Sequence, residues 1–588
     1  MAIKELKKQI EQAIKNVSKN KLGLEIGQAP LIFPPSPKFG DLAFECFETA
    51  QQLKKPPAEI ASSLAGNFPK NPMIEKVTAV GPYVNFIINR QVLFSSVIEE
   101  IAAQKGAFGY SQNEQNRKVM VEYLSPNTNK PLHLGHLRNG ALGMAVANIL
   151  TAAGNEVVKA NLVNDRGVHI CKSMLAWQKW GQGATPQTAD EKGDHFVGKW
   201  YVKYAIEAAK NPSLEQEIQT MLKKWEQGDP ETLKLWEMMN NWVYEGFKAT
   251  YEQFGLQFDV YFYESQTYKL GKDIAQNGLD KGIFQKTDKG AIVAELPVEE
   301  FGLDQDSQSK KTTLLREDGT SLYITQDLGT AVSKFKNYGL NQSIYVVGSE
   351  QNYHFQVLFK LLEMLDYSWA KDCRHLSYGM VYLPEGKMKS REGKIVDADD
   401  LINQMEKLAR KEIEKRNIEK PLSENEIQNR SLNIALSAIK FYLLRMGAEQ
   451  DIHFNPQESL SFDGFTGPYC QYAYARAKSI LRSAAAQAKT KSEVNYSLLG
   501  NEQELLLVQK LMAFPQVIET AAAGLNPSKI AIYVYDLAKA FNQFYQKCPV
   551  LNAENKKLAE ARLTLVLAVA MLIKQSLNLL GIETLEEM

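Results

Sequence analysis

The sequence has few cysteines, and none is placed to do chemistry with another. Cys46, Cys171, Cys373, Cys470 and Cys548 are scattered through 588 residues without a CxxC pair. That spacing offers neither a disulfide framework nor a zinc site, and it suits a reducing cytoplasm. Long apolar runs are missing as well. The longest, Leu563 to Ile573, is far short of the ~20 residues a membrane span needs. The opening MAIKELKKQI is charged and amphipathic with no apolar signal core, so no secretory signal is expected. Net charge is absent too, with 68 basic and 68 acidic side chains, which argues against indiscriminate nucleic-acid binding but not against a local basic surface. No repeat or low-complexity tract stands out, and 23% charged with 10% aromatic residues excludes bulk disorder. At roughly 150 residues per domain, the length predicts three or four domains of a soluble, cytoplasmic protein.

What is there divides along the chain. Residues 1–110 carry a charge of +3, residues 111–460 of −5 and residues 461–588 of +2. Slightly basic ends around an acidic centre suit an anionic partner outside and a cationic substrate inside, though so small a split decides nothing alone. Ile3, Leu6, Ile10, Ile14 and Val17 form the stripe of an amphipathic helix. Pro34, Pro35 and Pro37 interrupt it, residues 42–65 read as helical, and VTAVGPYVNFII (77–88) reads as paired strands around a Gly-Pro turn. This predicts an α+β domain over 1–112, with SQNEQNRK (111–118) as linker. VMVEYLS (119–125) reads as a buried strand, followed by a turn, a helix from Leu134 to Ala153 ended by Gly154, and a strand at 156–165. Strand–turn–helix–strand is the unit of a parallel sheet, so an α/β domain is expected over 113–400. Six of the seven tryptophans fall between 170 and 260, which predicts a helical insertion, about 170–290, with its own core. Strand-like segments resume at 291–296, 314–325 (with a hairpin turn at Asp318-Gly319) and 343–349. From about 400 the pattern is helical, a connector over 401–460 and an all-α bundle over 461–588.

The turn SPNTNKPLHLGH (125–136) carries the clearest chemistry. His133, Gly135 and His136 sit where a strand passes into a helix, the place where open parallel sheets bind ligands and helices present free N–H groups. Glycine there admits a flat base, and two imidazoles can donate hydrogen bonds to phosphate oxygens. An isolated HxxH is as readily a capping pair or half a metal site. GKMKSREGK (386–394) adds Lys387, Met388, Lys389, Arg391 and Lys394 in a Gly-bounded loop, as a clamp over a polyphosphate needs; alone it is an ordinary solvated basic loop. At this separation the two resemble the HxGH and KMSKS signature of class I aminoacyl-tRNA synthetases. Glu122 lies inside an apolar strand, Tyr323 and Asp327 are four apart, and Gln351 follows VVGS. Acids converging on one cleft imply a cationic ligand, and an aromatic hydroxyl beside an Asp suits a planar one. Singly, each is as well a helix-end Asp or a core Tyr.

Taken together, VEYLSPNTNKPLHLGHLRNG, LYITQDLGTAV and FTGPYCQYAYARAKSIL (465–481) resemble the arginyl-tRNA synthetases nearly end to end. FGDLAFE (39–45) and GPYVNF (81–86) resemble that family's N-terminal added domain, and DLAKAFNQFYQKCPVL (536–551) its anticodon-binding domain. The resemblance implies a Rossmann-type catalytic domain. It implies Asp327, Tyr323 and Glu122 at the guanidinium, Ser125, Asn127 and Gln351 at the α-amino group, and His133 at the carboxylate. His133, Gly135, His136 and the Lys387–Met388–Lys389 loop would serve ATP, which brings magnesium with its phosphates rather than on a protein metal site. Tyr83 and Asn85 would touch the outer corner of the tRNA near its D-loop. In the C-terminal domain Tyr469, Arg476 and Lys478 are candidates for tRNA, most neighbouring aromatics being core. A monomer is expected. Two positions depart from the pattern. Ser390 stands where the second KMSKS lysine would fall, and Arg166 stands where other members carry a bulky aromatic. Lys130, three residues before His133, is one candidate for the missing cation and equally a solvated turn residue. A synthetase for another amino acid, or a non-catalytic tRNA-binding relative, are the alternatives.

Overall fold

The computed structural model describes residues 3–111, 117–297, 310–383, 386–387, 396–416, 422–485 and 494–588. Its chain folds as two compact units, one of residues 111–460 with 524–528, the other of residues 1–110, 461–523 and 529–588.

The first unit is organised by a five-stranded parallel sheet. Its spatial order is Cys373–Tyr378, Gln342–Gly348, Lys118–Glu122, Glu156–Val163 and Val260–Tyr263. Val119, Met120 and Val121 are buried, as a central strand covered on both faces must be. Chain order reverses beside Lys118–Glu122, whose neighbours are the strands that follow second and fourth in the sheet. That reversal opens a crevice beyond the carboxyl ends of the strands. Helix Leu134–Ala152 returns from the first strand to the second and is buried almost all round. Its small residues permit this: a Cβ at Gly143 would lie 2.3 Å from the Tyr123 side chain, so glycine brings helix and strand together. Helices Val168–Trp180, Gly193–Ala208, Leu214–Glu226 and Pro230–Phe254 form the insertion. Its tryptophans pack on one another, Trp177 against Trp242 at 5.9 Å and Trp225 against Trp236 at 5.6 Å.

In the second unit a four-stranded sheet, in the order Leu31–Ile32, Leu42–Glu45, Tyr83–Ile88, Ile74–Val80, is joined by helices Ile3–Val17, Phe47–Leu53, Pro57–Gly66 and Arg90–Gln104. The paired strands turn at Gly81-Pro82, with Gly81 at φ +56°. Helices Gly467–Ala485, Glu502–Ala523, Ser528–Lys547 and Lys556–Leu579 complete the unit.

Two local readings need correction. Residues 42–45 are a strand, not the start of a helix, because LAFE pairs with Tyr83–Ile88 and buries three of its four residues. The hairpin expected over 314–325 has only one strand arm, Lys310–Leu315. After the bridge Leu315–Ser321 the chain enters helix Tyr323–Tyr338, which buries Ile324, Leu328, Ala331 and Phe335 on one face.

Candidate active site at the carboxyl ends of the sheet

The first strand leaves the sheet through two non-glycine residues in the left-handed region, Leu124 at φ 80° and Ser125 at φ 46°. Such backbone costs of order 1–3 kcal/mol per residue and persists only where its surroundings hold it. Here Asn139 does so. Its Oδ1 accepts from Leu124 N–H at 2.5 Å, while its Nδ2 donates to the Val346 carbonyl at 2.9 Å and the Tyr378 hydroxyl at 3.0 Å. One buried amide thus ties together the ends of three strands. Arg138 beside it is 1% exposed, and its guanidinium donates to four carbonyls, those of Gly379, Met380, Ala448 and Gln450, at 2.6–3.1 Å.

The HLGH turn is a reciprocal cap. His133 Nδ1 accepts from Gly135 N–H, and His136 Nδ1 accepts from His133 N–H, both at 3.1 Å, with the rings 3.9 Å apart. A Cβ at Gly135 would lie 3.0 Å from the His133 ring, so glycine is what allows the cap. Burial holds the His133 imidazolium unfavourable, with Lys130 adding to the effect and Asp397 opposing it, so its pKa falls to about 4. Burial, then His133 and Lys130, push His136 well below its usual range. Both rings are therefore neutral near pH 7. With each Nδ1 occupied as an acceptor, the ring proton sits on Nε2, where it can be donated to a ligand.

Lys130 is half-buried, and burial lowers its pKa. It acts electrostatically on both histidines and is not a freely solvated turn residue. Lys387 begins at the end of the short pairing of Gly386–Lys387 with Val381–Leu383. Met388, Lys389, Ser390, Arg391 and Lys394 lie outside the described residues.

The acidic half of the site forms around helix Tyr323–Tyr338. Tyr323 is 66% exposed and Asp327 sits one turn on, its Oδ2 2.6 Å from His354 Nε2. His354 lies in the first turn of helix Asn352–Met364, after the strand Gln342–Gly348, which fixes Asp327 at the carboxyl edge of the sheet. Gln351 is exposed in the turn between them, and Asn127 is exposed where it bridges to Asn164. The second acid is not Glu122. Its carboxylate is 5% exposed and paired with the Lys334 ammonium, 1% exposed, inside the unit. The cation that a carboxylate in an apolar strand requires is one of the protein's own. Sequence reasoning missed Glu264, at the carboxyl end of strand Val260–Tyr263. Burial raises its pKa to about 7, Arg166 pulls against that, and Asp165 and Asp327 push it further up. Gln326, with its amide turned to satisfy both neighbours, donates to Glu264 Oε1 at 2.8 Å and accepts from Arg166 at 3.3 Å. Asp165 anchors the same turn by accepting from Ser265 N–H at 2.8 Å and from the Ser265 hydroxyl at 2.7 Å. Arg166 is held on the Tyr268 ring at 4.0 Å and paired with Glu226 at 2.8 Å.

The nucleic-acid candidates lie in the other unit. Tyr83 is half-buried at the start of an inner strand, its ring 6.0 Å from exposed Phe47. Asn85 is 3% exposed within the sheet, so it supports the strand and is not displayed to a partner. Tyr469, half-buried, accepts from Asn542 at 3.0 Å; Arg476 donates to the same Asn542 at 2.6 Å and lies over Tyr472; Lys478 pairs with Glu586 at 3.1 Å. Tyr474, Tyr533 and Phe541 are core.

Comparison with known proteins gives a consistent result. The family described as "tRNA synthetases class I (R), catalytic domain" matches residues 97–455. "Arginyl tRNA synthetase N terminal domain" matches residues 4–88, and "DALR anticodon binding domain" matches residues 470–588. An arginine–tRNA ligase of Treponema denticola is 46% identical over 94% of this chain and 94% of its own. One from Borrelia hermsii is 41% identical, covering 100% of this chain and 99% of its own. Among solved structures, Thermus thermophilus arginyl-tRNA synthetase superposes with a TM-score of 0.81 at 27% identity, covering 99% of this chain and all of that one.

Proposed function

The chain belongs to the arginyl-tRNA synthetases, and from that membership we infer its reaction: it is an arginine–tRNA ligase of class I, serving protein synthesis. ATP and L-arginine give arginyl-adenylate and pyrophosphate, and the arginyl group then passes to the 3′-terminal ribose of the cognate tRNA. The arginine α-carboxylate attacks the α-phosphorus in line. The protein contributes positioning and charge stabilisation, with no covalent enzyme intermediate. Magnesium comes with ATP, held through phosphates and water.

The observation that carries the arginine reading is the pair of acids, Asp327 and Glu264, close enough to act on each other at one edge of the sheet, with exposed Tyr323 on the same helix as Asp327. We assign Asp327, Glu264 and Tyr323 to the guanidinium. A cation arriving beside Glu264 opposes the effect of burial that raises its carboxyl to about 7, so substrate favours the charged carboxylate. Asn127, Ser125 and Gln351 are assigned to the α-amino group and His133 to the carboxylate. His133, Gly135, His136, Lys130 and the loop of Lys387, Met388 and Lys389 are assigned to ATP. The two neutral imidazoles serve as Nε2–H donors, and Lys130 supplies the cation that Ser390 cannot. Residues 1–112 are assigned to the outer corner of the tRNA, with Tyr83 as the candidate contact, and residues 461–588 to the anticodon, with Tyr469, Arg476 and Lys478. The catalytic segment 113–400 carries the insertion at about 170–290, and residues 401–460 connect it to the bundle. We take a single chain as the working unit. No described helix is long and apolar enough to cross a membrane, and all five cysteines are buried and unpaired, which fits a reducing cytoplasm. ATP–pyrophosphate exchange across the amino acids, with and without tRNA, tests the reading. Arginine-dependent exchange is expected. Exchange driven by another amino acid, or none at all, overturns it.

A further inference from the structure

The HLGH turn does not stand on its own strand alone. Leu134 N–H donates to the Val396 carbonyl at 3.1 Å, Ala398 N–H donates to the Leu132 carbonyl at 3.0 Å, and His133 pairs antiparallel with Asp397. The segment 396–398 is therefore a second rail laid along the ATP-facing turn. Asp397 ends that rail by capping helix Ala398–Arg416, its Oδ1 accepting from Asp399 N–H at 2.9 Å and Asp400 N–H at 3.1 Å.

Helix Gly193–Ala208 of the insertion grips both rails. On one side His195 Nε2 lies 3.2 Å from Asp397 Oδ2 and 3.2 Å from Asp399 Oδ2. Lys192, at the start of the helix, places its ammonium 2.6 Å from Asp399 Oδ2, 3.3 Å from Asp194 Oδ2 and 2.5 Å from the Thr250 hydroxyl. That hydroxyl donates in turn to Asp399 Oδ1 at 2.9 Å. On the other side, one turn along, Gly198 meets the turn's own chain. A Cβ there would lie 2.7 Å from Pro131 Cδ and 3.6 Å from Lys130 Cα. Asp194 is fully buried, and Asp397 and Asp399 are mostly so, which makes the network strong and its loss costly. The two carboxylates hold His195 charged, its pKa raised to about 10, and the cations hold Asp399 down to about 2 despite burial.

Asp194, His195 and Asp399 are close enough to share an ion. The Lys192 ammonium already stands among them as their cation, so a metal is not what this cluster calls for.

We propose that Lys192 and His195 are positioning residues for the adenylation step, fixing the Leu132–His136 turn through Asp397 and Asp399. The insertion is then a brace on the ATP site, and the proposal rests on the assignment of that turn to ATP. None of these side chains needs to touch the nucleotide. A misplacement of about 1 Å in such a turn can cost 10²-fold in rate.

The test is ATP–pyrophosphate exchange, with tRNA present, on the full chain carrying His195→Gln, His195→Lys, Lys192→Met, Asp399→Asn or Lys192→Met with Asp399→Asn. We expect His195→Gln and Lys192→Met to lower kcat 10- to 100-fold with arginine KM within twofold of the parent. His195→Lys, which keeps the cation, should recover at least a third of parental kcat. The double variant should lose less than the product of its two single losses, because each single change already breaks the same Lys192–Asp399 contact. Circular dichroism on each variant sets aside unfolded ones, and the Lys rescue and the double cycle are read on those that fold. Parental kcat in folded His195→Gln, a change confined to arginine KM, or additive losses would each overturn the proposal. A parent that lacks arginine-dependent exchange would overturn the function itself, and the two failures are thus distinct.

Discussion

Replacing Lys334 by Met strands the Glu122 carboxylate in the central strand of the sheet. The two side chains are 1% and 5% exposed, so water cannot take the place of the ammonium. The ammonium also lies over the Tyr345 ring at 4.6 Å and the Phe262 ring at 5.3 Å, contacts that Met replaces only by packing. Breaking one side of a buried ion pair costs about 3–5 kcal/mol. At about 2 °C per kcal/mol, the lower end for large domains, the melting midpoint should fall about 6–10 °C. Replacing both partners, Glu122→Leu with Lys334→Met, removes charge and counter-charge together and should return to within about 1 kcal/mol of the parent. Thermal and urea unfolding, with pyrophosphate exchange run on the same samples, reads both halves of the reasoning. The double variant should keep its arginine KM within twofold. A stable double variant whose arginine KM rises tenfold would return Glu122 to the substrate, and an undiminished midpoint in Lys334→Met would refute the pair.

Asp327→Asn should cost arginine activation about 3–5 kcal/mol, two to four decades in kcat/KM, with ATP KM within twofold; near-normal arginine KM in exchange assays would remove Asp327 from the pocket. Lys130→Ala should slow exchange by a decade or more, about 1.4 kcal/mol, with partial recovery in Lys130→Ala/Ser390→Lys, whereas Lys389→Ala should do markedly less. Since Lys130 helps depress the His133 pKa, Lys130→Ala should also raise it, measurable by NMR titration of the imidazole. The folded pKa of His133, about 4, lies below the ordinary value of about 6.5. Between those values the unfolded chain binds more protons, so this histidine's contribution is complete above about pH 6.5 and is lost as pH falls towards 4. Urea midpoints should decline over that window, and less steeply in His133→Gln.

Local signals are legible where chemistry and local geometry coincide. The strand before SPNTNKPLHLGH and the helix after it put His133, Gly135 and His136 at a strand-to-helix junction, where the reciprocal cap forms. Asp327 and Tyr323 share a helix face because four residues separate them. Pairing across distance was the part that could not be read. Glu122 in an apolar strand correctly called for a cation, but nothing local says that Lys334, 212 residues on, supplies it. Glu264 carried a weak signal, an acid directly after VYFY, yet only the fold brings that strand's end beside Asp327. Arg138 and Asn139 are polar residues in a mostly apolar helix, which hints at buried partners without naming them. The carbonyls Arg138 binds come from 379–380 and 448–450, far along the chain. Asn85 shows the opposite failure. The family resemblance alone put it at the tRNA, and the sheet buries it.

The most direct test of the central claim, that Asp327 and Glu264 select a guanidinium by its charge, compares arginine with citrulline, its neutral isostere, in tRNA-dependent pyrophosphate exchange. The parent should prefer arginine by at least 10³ in kcat/KM, about 4 kcal/mol, since citrulline leaves both acids without a cation. In Glu264→Gln and in Asp327→Asn that preference should shrink at least tenfold, chiefly through loss of arginine. A parent that uses citrulline within tenfold of arginine, or variants that keep the full preference, would contradict it.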